Sequence, residues 1–254
     1  MSENVVITRA EGVLEIRLDR PEKKNALTRA MYDAIADAFV LVDADPTLRV
    51  ALLTGTGDAF TSGNDITDFQ SRGNSGRSSA SRFLPTISSM QKPLIAAVNG
   101  AAVGVGTTML AHCDLIVAAR SARFVMPFTG LGLVPEAASS LLFPRLLGNQ
   151  RASALLLLGE PLDAETAFQW GFVNRVVDDV ALMETARDMA RRLAALPPQA
   201  VRLTKRLIRH GAPDVAGRME EELALFRERL DSPEAKEAFT AFMEKRKPDL
   251  SRFT

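Results

Sequence analysis

The sequence predicts an α/β fold followed by a helical C-terminal region, and three observations predict it. Short apolar runs closed by turn residues recur in the first half: "VALLTG", "PLIAAVNG" and "DLIVAA". Segments of helical periodicity stand between them. From Pro144 onward the pattern is helical. Continuous apolar runs of this kind suit strands buried on both faces, and their alternation with helices suits an α/β domain.

Taken in order, "NVVITRAEGVLEIRLD" reads as two short strands around a Glu11-Gly12 turn. "NALTRAMYDAIADAFVLVDADP" reads as a helix with Thr28 as N-cap, since Met31, Ile35, Ala38, Phe39 and Val42 recur at helical spacing and Pro46 follows. "RVALLTGTG" is a strand closed by Gly55 and Gly57, and "PLIAAVNG" and "DLIVAA" read the same way. Between the last two, "AAVGVGTTMLAHC" suggests a short helix opening near Gly104. The stretch from Ser71 to Ser81, "SRGNSGRSSAS", reads as a mobile surface loop. "PLDAETAFQWG" predicts a helix with Asp163 as N-cap and Gly171 at its end. Further helices are expected from Val180 to Leu196, Gln199 to His210, Val215 to Leu230 and Pro233 to Glu244. The helical tail is too apolar on one face to stand alone, so it should pack on the core or on another subunit.

Composition narrows the function. The chain has 254 residues, enough for a sizeable core. Its 31 basic and 31 acidic residues balance, which argues against a nucleic-acid or membrane-surface partner. One cysteine, Cys113, excludes an intrachain disulfide and fits a reducing compartment. The N-terminus lacks the basic and apolar regions of a signal peptide, and charged residues interrupt each apolar run short of a membrane span. A cytoplasmic location is expected.

Several segments carry candidate chemistry. "NGAAVGVGTTM" places Gly104 and Gly106 between a strand and a helix, but Met109 stands where a dinucleotide fingerprint needs its third glycine. Nucleotide binding is therefore not expected. Glycines at a helix start still let an anion, or a reaction's oxyanion, approach unpaired backbone N–H groups. "AFTSGNDITDF" holds the turn Ser62-Gly63-Asn64-Asp65 after an apolar strand; it reads as an ordinary strand-to-helix loop or as a second source of such donors. His112, Cys113 and Asp114 are adjacent, so their side chains diverge, and His112 and Cys113 read as structural. His210, beside basic residues, suits a helix end. No cluster has metal-ligand spacing, and no metal is expected. Glu136 stands alone as an acid in "GLGLVPEAASSLLFPRLLG". Two readings of it stand on the residues alone: an acid opening a helix at Pro135-Glu136, where the dipole favours it, or a functional carboxylate in apolar company.

The blocks "LDRPEKKNALT", "AFTSGNDI", "KPLIAAVNGAAVGVG", "CDLIVAARSARFVMPFTGLGLVPE", "LLGNQRASALLLLGEPLDAETAFQWGFVNRVV" and "EAFTAFMEKRKP" occur in this order over nearly the whole chain. In order and spacing they resemble the crotonase, or enoyl-CoA hydratase/isomerase, superfamily. The resemblance implies a spiral of ββα turns over residues 1–195 and a C-terminal helical trimerisation region over 196–254, assembled as a homotrimer or a dimer of trimers. It implies an acyl-CoA thioester substrate and no separate cofactor, coenzyme A being part of the substrate. The thioester oxygen would sit between the backbone N–H groups of Asn64, after Gly63, and Val105, after Gly104. Valine replaces the glycine usual at the second position. The two hydratase glutamates correspond here to Thr108 and Phe128, which argues against water addition.

Glu136 falls where monofunctional Δ3,Δ2-enoyl-CoA isomerases of the peroxisomal type carry their single catalytic glutamate. "SGNDIT", Val105 and "PFTGLGLVPEAASS" resemble that branch too. The resemblance further implies that Lys23, Lys24 and Ala26 line the adenine and pantetheine path beside Ser62. Asp65 and Ile66 would lie along the same channel, with Phe242 and Lys245 reaching the nucleotide, often from a neighbouring subunit. The implied activity is conversion of 3-enoyl-CoA to 2-trans-enoyl-CoA by a 1,3-proton shift. Burial near Phe128, Leu131, Leu133 and Val134 should raise the proton affinity of Glu136 towards working pH. The competing readings are other crotonase reactions (hydration, decarboxylation, thioester hydrolysis, ring opening) and non-catalytic binding of acyl-CoA or RNA.

Overall fold

The computed structural model describes residues 2–65, 80–209 and 214–250. Its centre is a six-stranded sheet in the order β1 (Val5–Ala10), β2 (Val13–Leu18), β3 (Val50–Gly55), β5 (Leu94–Val98), β7 (Leu115–Ala119), β10 (Arg175–Val177). β1 and β2 form an antiparallel hairpin across Glu11-Gly12, and every later neighbour is parallel. The apolar runs are legible because β5 is buried throughout and β3 and β7 are buried at all but one end residue, with α1 (Arg29–Ala44) covering one side. Thr28 caps α1 by accepting from the Met31 amide, and its apolar stripe is buried.

A second, four-stranded sheet runs β4 (Ala59–Thr61), β6 (Ala101–Val103), β8 (Arg123–Val125), β9 (Leu162–Asp163). β4, β6 and β8 are parallel and β9 is antiparallel. In each repeat a long strand of the first sheet turns directly into a short strand of the second, as β3 leads to β4 and β5 to β6. A close backbone approach makes this possible: a side chain at Gly100 would put its Cβ 2.0 Å from Asp58 O. One hydrophobic core lies between the sheets and α1, and a smaller one lies under α7 (Leu182–Ala194), which lies across β3, β5 and β7.

The remaining helices are α2 (Phe83–Ser89), α3 (Val105–Thr108), α4 (Ser139–Leu147), α5 (Asn149–Ser153), α6 (Ala164–Gln169), α8 (Pro198–Arg209), α9 (Val215–Leu230) and α10 (Pro233–Met243). Asp163 caps α6 by accepting from the Thr166 amide, and Gly171 follows it at φ +81°. Two expectations are corrected. The region after Pro144 is not wholly helical, since β9 and β10 complete the edges of the two sheets. The helix expected at Pro135-Glu136 starts only at Ser139, because Ala137 (φ +62°) and Ala138 (φ +55°) are left-handed. The loop expected from Ser71 to Ser81 falls largely outside the described residues, as does His210. No described helix is long and apolar enough to cross a membrane.

Candidate active site

The site is built on the ends of β4 and β6, which are parallel neighbours. After β4 the chain meets the turn Lys23–Ala26, and the two segments are stitched together. Ser62 donates its amide to Lys24 O (2.9 Å) and its hydroxyl to Lys23 O (3.3 Å). Leu27 donates to Gly63 O (2.7 Å), and Asp65 donates to Leu27 O (3.0 Å). The Gly63 amide is taken up by Thr61 Oγ1 at 3.1 Å. Among the described residues this leaves the Asn64 N–H without an acceptor, facing away from the stitching. Gly63 sits at φ +90°, and a Cβ there would lie 2.8 Å from Val103 O, so glycine is required.

Asn25 underpins this turn. It is fully buried at φ +54°, a left-handed conformation that asparagine tolerates. Its Oδ1 accepts from Arg20 N, while its Nδ2 donates to Thr56 O and Ala59 O at 2.9 and 2.8 Å. Arg20 in turn donates to Ala26 O (3.1 Å) and pairs with Asp65 at 2.6 Å.

After β6, Gly104 adopts φ +57° and ψ −119° and α3 begins at Val105. Glycine takes the unusual dihedrals, so valine is accommodated in helical geometry. As the first residue of α3, Val105 has an amide with no intrahelical acceptor. Gly106 has a packing role: a Cβ there would lie 2.6 Å from Thr61 Cγ2, so its absence lets α3 approach the end of β4. The Asn64 and Val105 segments thus border one cavity of about 360 Å³. Ser62, Gly63 and Gly104 also line it, and Phe128, Leu131, Leu133, Phe226, Phe239 and Phe242 supply its apolar wall. Phe242 lines the cavity of its own chain, and Lys245, exposed beyond α10, does not line it. Ile66 lies outside the described residues. Thr108 is buried with its hydroxyl towards Val105 O, and Phe128 is buried in the wall.

Glu136 lies three residues after Leu133, in the loop leading to α4, and is not among the residues that line the cavity. The residue is partly exposed, but its Oε1 is buried without a hydrogen-bond partner among the described residues. Burial, and then the negative charge of Glu222, push its pKa up to about 7. The apolar flanks therefore have the effect expected from the sequence.

Tyr32 links Glu136 to the Asn64 segment. Its hydroxyl donates to Asn64 Oδ1 at 2.6 Å, and its own proton is held more tightly through burial and then the charge of Glu136. Glu136 is thus within electrostatic reach of the Tyr32–Asn64 pair. The left-handed Ala137 and Ala138 are held in place from both sides. His112 Nε2 lies 2.8 Å from Ala137 O, which requires the Nε2–H tautomer. Burial lowers the His112 pKa to about 4, so the ring is neutral near pH 7. Glu222 Oε1 accepts from the Ser140 amide (3.0 Å) and hydroxyl (2.5 Å).

His112 is structural as expected, but it props the loop that bears Glu136. The sequence reading did not single out Tyr32, Asn25 or Glu222. Glu222 had a readable signal: an acid on the apolar stripe of α9, between Met219 and Phe226, both packed on the core. Asn25 and Tyr32 carry no such signal.

The comparisons with known proteins decide the family. The sequence model described as Enoyl-CoA hydratase/isomerase matches residues 8–252. The chain belongs to that family. The 1,2-epoxyphenylacetyl-CoA isomerase of Escherichia coli (strain K12) is 36% identical over 253 residues, covering 95% of each chain. Enoyl-CoA delta isomerase 2 of Rattus norvegicus is 35% identical over 257 residues, covering 98% of this chain and 65% of that protein. A crystal structure of an enoyl-CoA hydratase/isomerase from Pseudoalteromonas atlantica T6c superimposes with a TM-score of 0.94 at 45% identity, covering 98% of this chain and 100% of that one. The fold is thereby that of the crotonases, and the chain is a crotonase-type acyl-CoA enzyme.

Proposed function

We propose that this enzyme converts 3-enoyl-CoA to 2-trans-enoyl-CoA, with Glu136 as the single acid–base group. The observation that carries the reading is a carboxyl oxygen of Glu136 buried without a partner among the described residues, its pKa pushed up to about 7, in electrostatic reach of Tyr32, which bonds Asn64; the Asn64 and Val105 amides have no acceptor among the described residues. The ionised Glu136 takes a proton from C2, and the electron pair moves onto the thioester oxygen, held by the Asn64 and Val105 N–H groups. The enolate re-forms its carbonyl, the double bond moves from C3–C4 to C2–C3, and Glu136 returns the proton to C4. No water is consumed. A pKa near working pH suits a group that must both take and return a carbon-bound proton. One oxyanion donor is worth roughly 10²–10³ in kcat.

Thr108 and Phe128, where the hydratases of this family have acids, support isomerisation over hydration. The name of the rat relative supports it as well. On the same reading Lys23, Lys24, Ala26, Ser62 and Asp65 border the coenzyme A path, and Phe242 and Lys245 reach the nucleotide. Assembly as a trimer or dimer of trimers is supported by exposed Leu157, Leu158, Leu207 and Ile208, which need a covering surface.

The test is to incubate purified enzyme with 3-enoyl-CoA and, separately, with 2-enoyl-CoA. Formation of 2-trans-enoyl-CoA, abolished in Glu136→Gln, supports the proposal. Accumulation of 3-hydroxyacyl-CoA replaces it with hydration, and binding without turnover of either substrate refutes it.

A further inference from the structure

Glu222 lies in the middle of α9, a helix otherwise packed through Met219, Phe226 and Leu230. It is 4% exposed, and such an acid needs a reason to be there. Its Oε1 takes two donors from Ser140, one main-chain and one hydroxyl. Its Oε2 is buried with no partner among the described residues, as is Oε1 of Glu136. Ser140 is the second residue of α4, and Ser139 N donates to Glu136 O at 3.1 Å, so Glu222 grips the chain four residues beyond Glu136.

We propose that Glu222 is a positioning residue for Glu136: it pins the loop through Ser140 and faces the Glu136 carboxyl with a second, fixed carboxylate. The inference rests on the reading of Glu136 as the acid–base group. Burial raises the pKa of Glu222, and the two donors from Ser140, the Ala138 main chain and the charge of Arg218 offset part of that rise. In its ionised form Glu222 makes Glu136 hold its proton more tightly. The other polar groups packed around the loop do not supply this effect. His112 is neutral near pH 7, Tyr32 is protonated and Arg229 is paired with Glu234 while donating to Gly132 O. Two such carboxyls titrate as a coupled pair, the first proton lost making the second harder to lose.

Glu222→Gln keeps an acceptor for Ser140 and removes the charge; Glu222→Leu removes both. Carboxyl titration by NMR with ¹³C-labelled glutamate, the Glu136 signal being assigned by its loss in Glu136→Gln, reads the effect without turnover. In Glu222→Gln the Glu136 midpoint is expected to fall by roughly half a pH unit or more. The acidic limb of kcat/KM is expected to move with it while KM stays close to wild type. Glu222→Leu is expected to lose kcat at every pH. An unmoved midpoint in Glu222→Gln overturns the proposal, whatever the fate of Glu136 as a base, which the activity of Glu136→Gln decides separately. If Glu222→Gln does not fold, Ser140→Ala serves instead. It strips a donor that keeps Glu222 ionised, so the Glu136 midpoint should again fall, and an unchanged midpoint overturns the proposal.

Discussion

Replacing Glu136 by glutamine should stabilise the fold, and by an amount that grows with pH. The native pKa is raised from the ordinary 4.5 to about 7, so the folded state binds the proton more tightly than the unfolded chain does. The stability contributed by this group is therefore fully present below the unfolded value. It declines as pH rises through the interval between the two and is constant at its lowest above pH 7. At about 1.4 kcal/mol per pH unit, the full penalty in alkaline solution is roughly 3 kcal/mol. Glutamine is neutral throughout and carries none of it. Its amide is also imperfectly partnered, because Oε1 has no hydrogen-bond partner among the described residues, but that loss does not depend on pH. The stability difference between variant and wild type should therefore grow by roughly 2–3 kcal/mol from pH 5 to pH 8.5. Urea unfolding followed by circular dichroism, at both pH values and one protein concentration, measures it. A difference of the same size at both pH values would refute the claim that a costly buried carboxylate occupies this loop.

A base must be ionised to act, so kcat/KM for 3-enoyl-CoA should rise about tenfold per pH unit below an inflection near pH 7 and level off above it; a flat profile from pH 5 to 8 contradicts this. Gly63→Ala should lower kcat by roughly 10²–10³, since a Cβ 2.8 Å from Val103 O displaces the Asn64 amide; steady-state kinetics with a circular dichroism control checks it. Tyr32→Phe leaves Asn64 Oδ1 without its 2.6 Å donor and should cost about 1–2 kcal/mol in urea unfolding, with a loss of kcat larger than any change in KM. Asn25→Ala breaks the buried turn at Arg20, Thr56 and Ala59 together and should destabilise by about 3 kcal/mol in the same assay.

How far the fold was legible follows from element length and burial. β3, β5 and β7 were readable because they are continuous apolar runs, and α1 and α6 because Thr28 and Asp163 are working caps. β4, β6 and β8 have three residues each and β9 has two, too few for any period to register. Of the site, the glycine turns at Gly63 and Gly104 were readable as donor sources from the residues. The choice of Asn64, Val105 and Glu136 came from resemblance to a family. The delayed start of α4 had no signal, because alanine says nothing about positive φ. Tyr32 and Asn25 act through contacts with segments more than 30 residues away, which local sequence does not show.

The pairing of β4 with β6 has a consequence for how such a scaffold diversifies. Two amides that follow hydrogen-bonded neighbours have their separation ruled by the lattice of the sheet, about 4.8 Å per rung. Each needs a glycine before it, but neither donates through a side chain of its own. The acidic group arrives on an unrelated stretch of backbone, well beyond the ends of both strands, in its own prop of histidine and glutamate. Evolution or a designer can therefore exchange the proton carrier, move it or double it, while the clamp on the electrophile keeps its gauge.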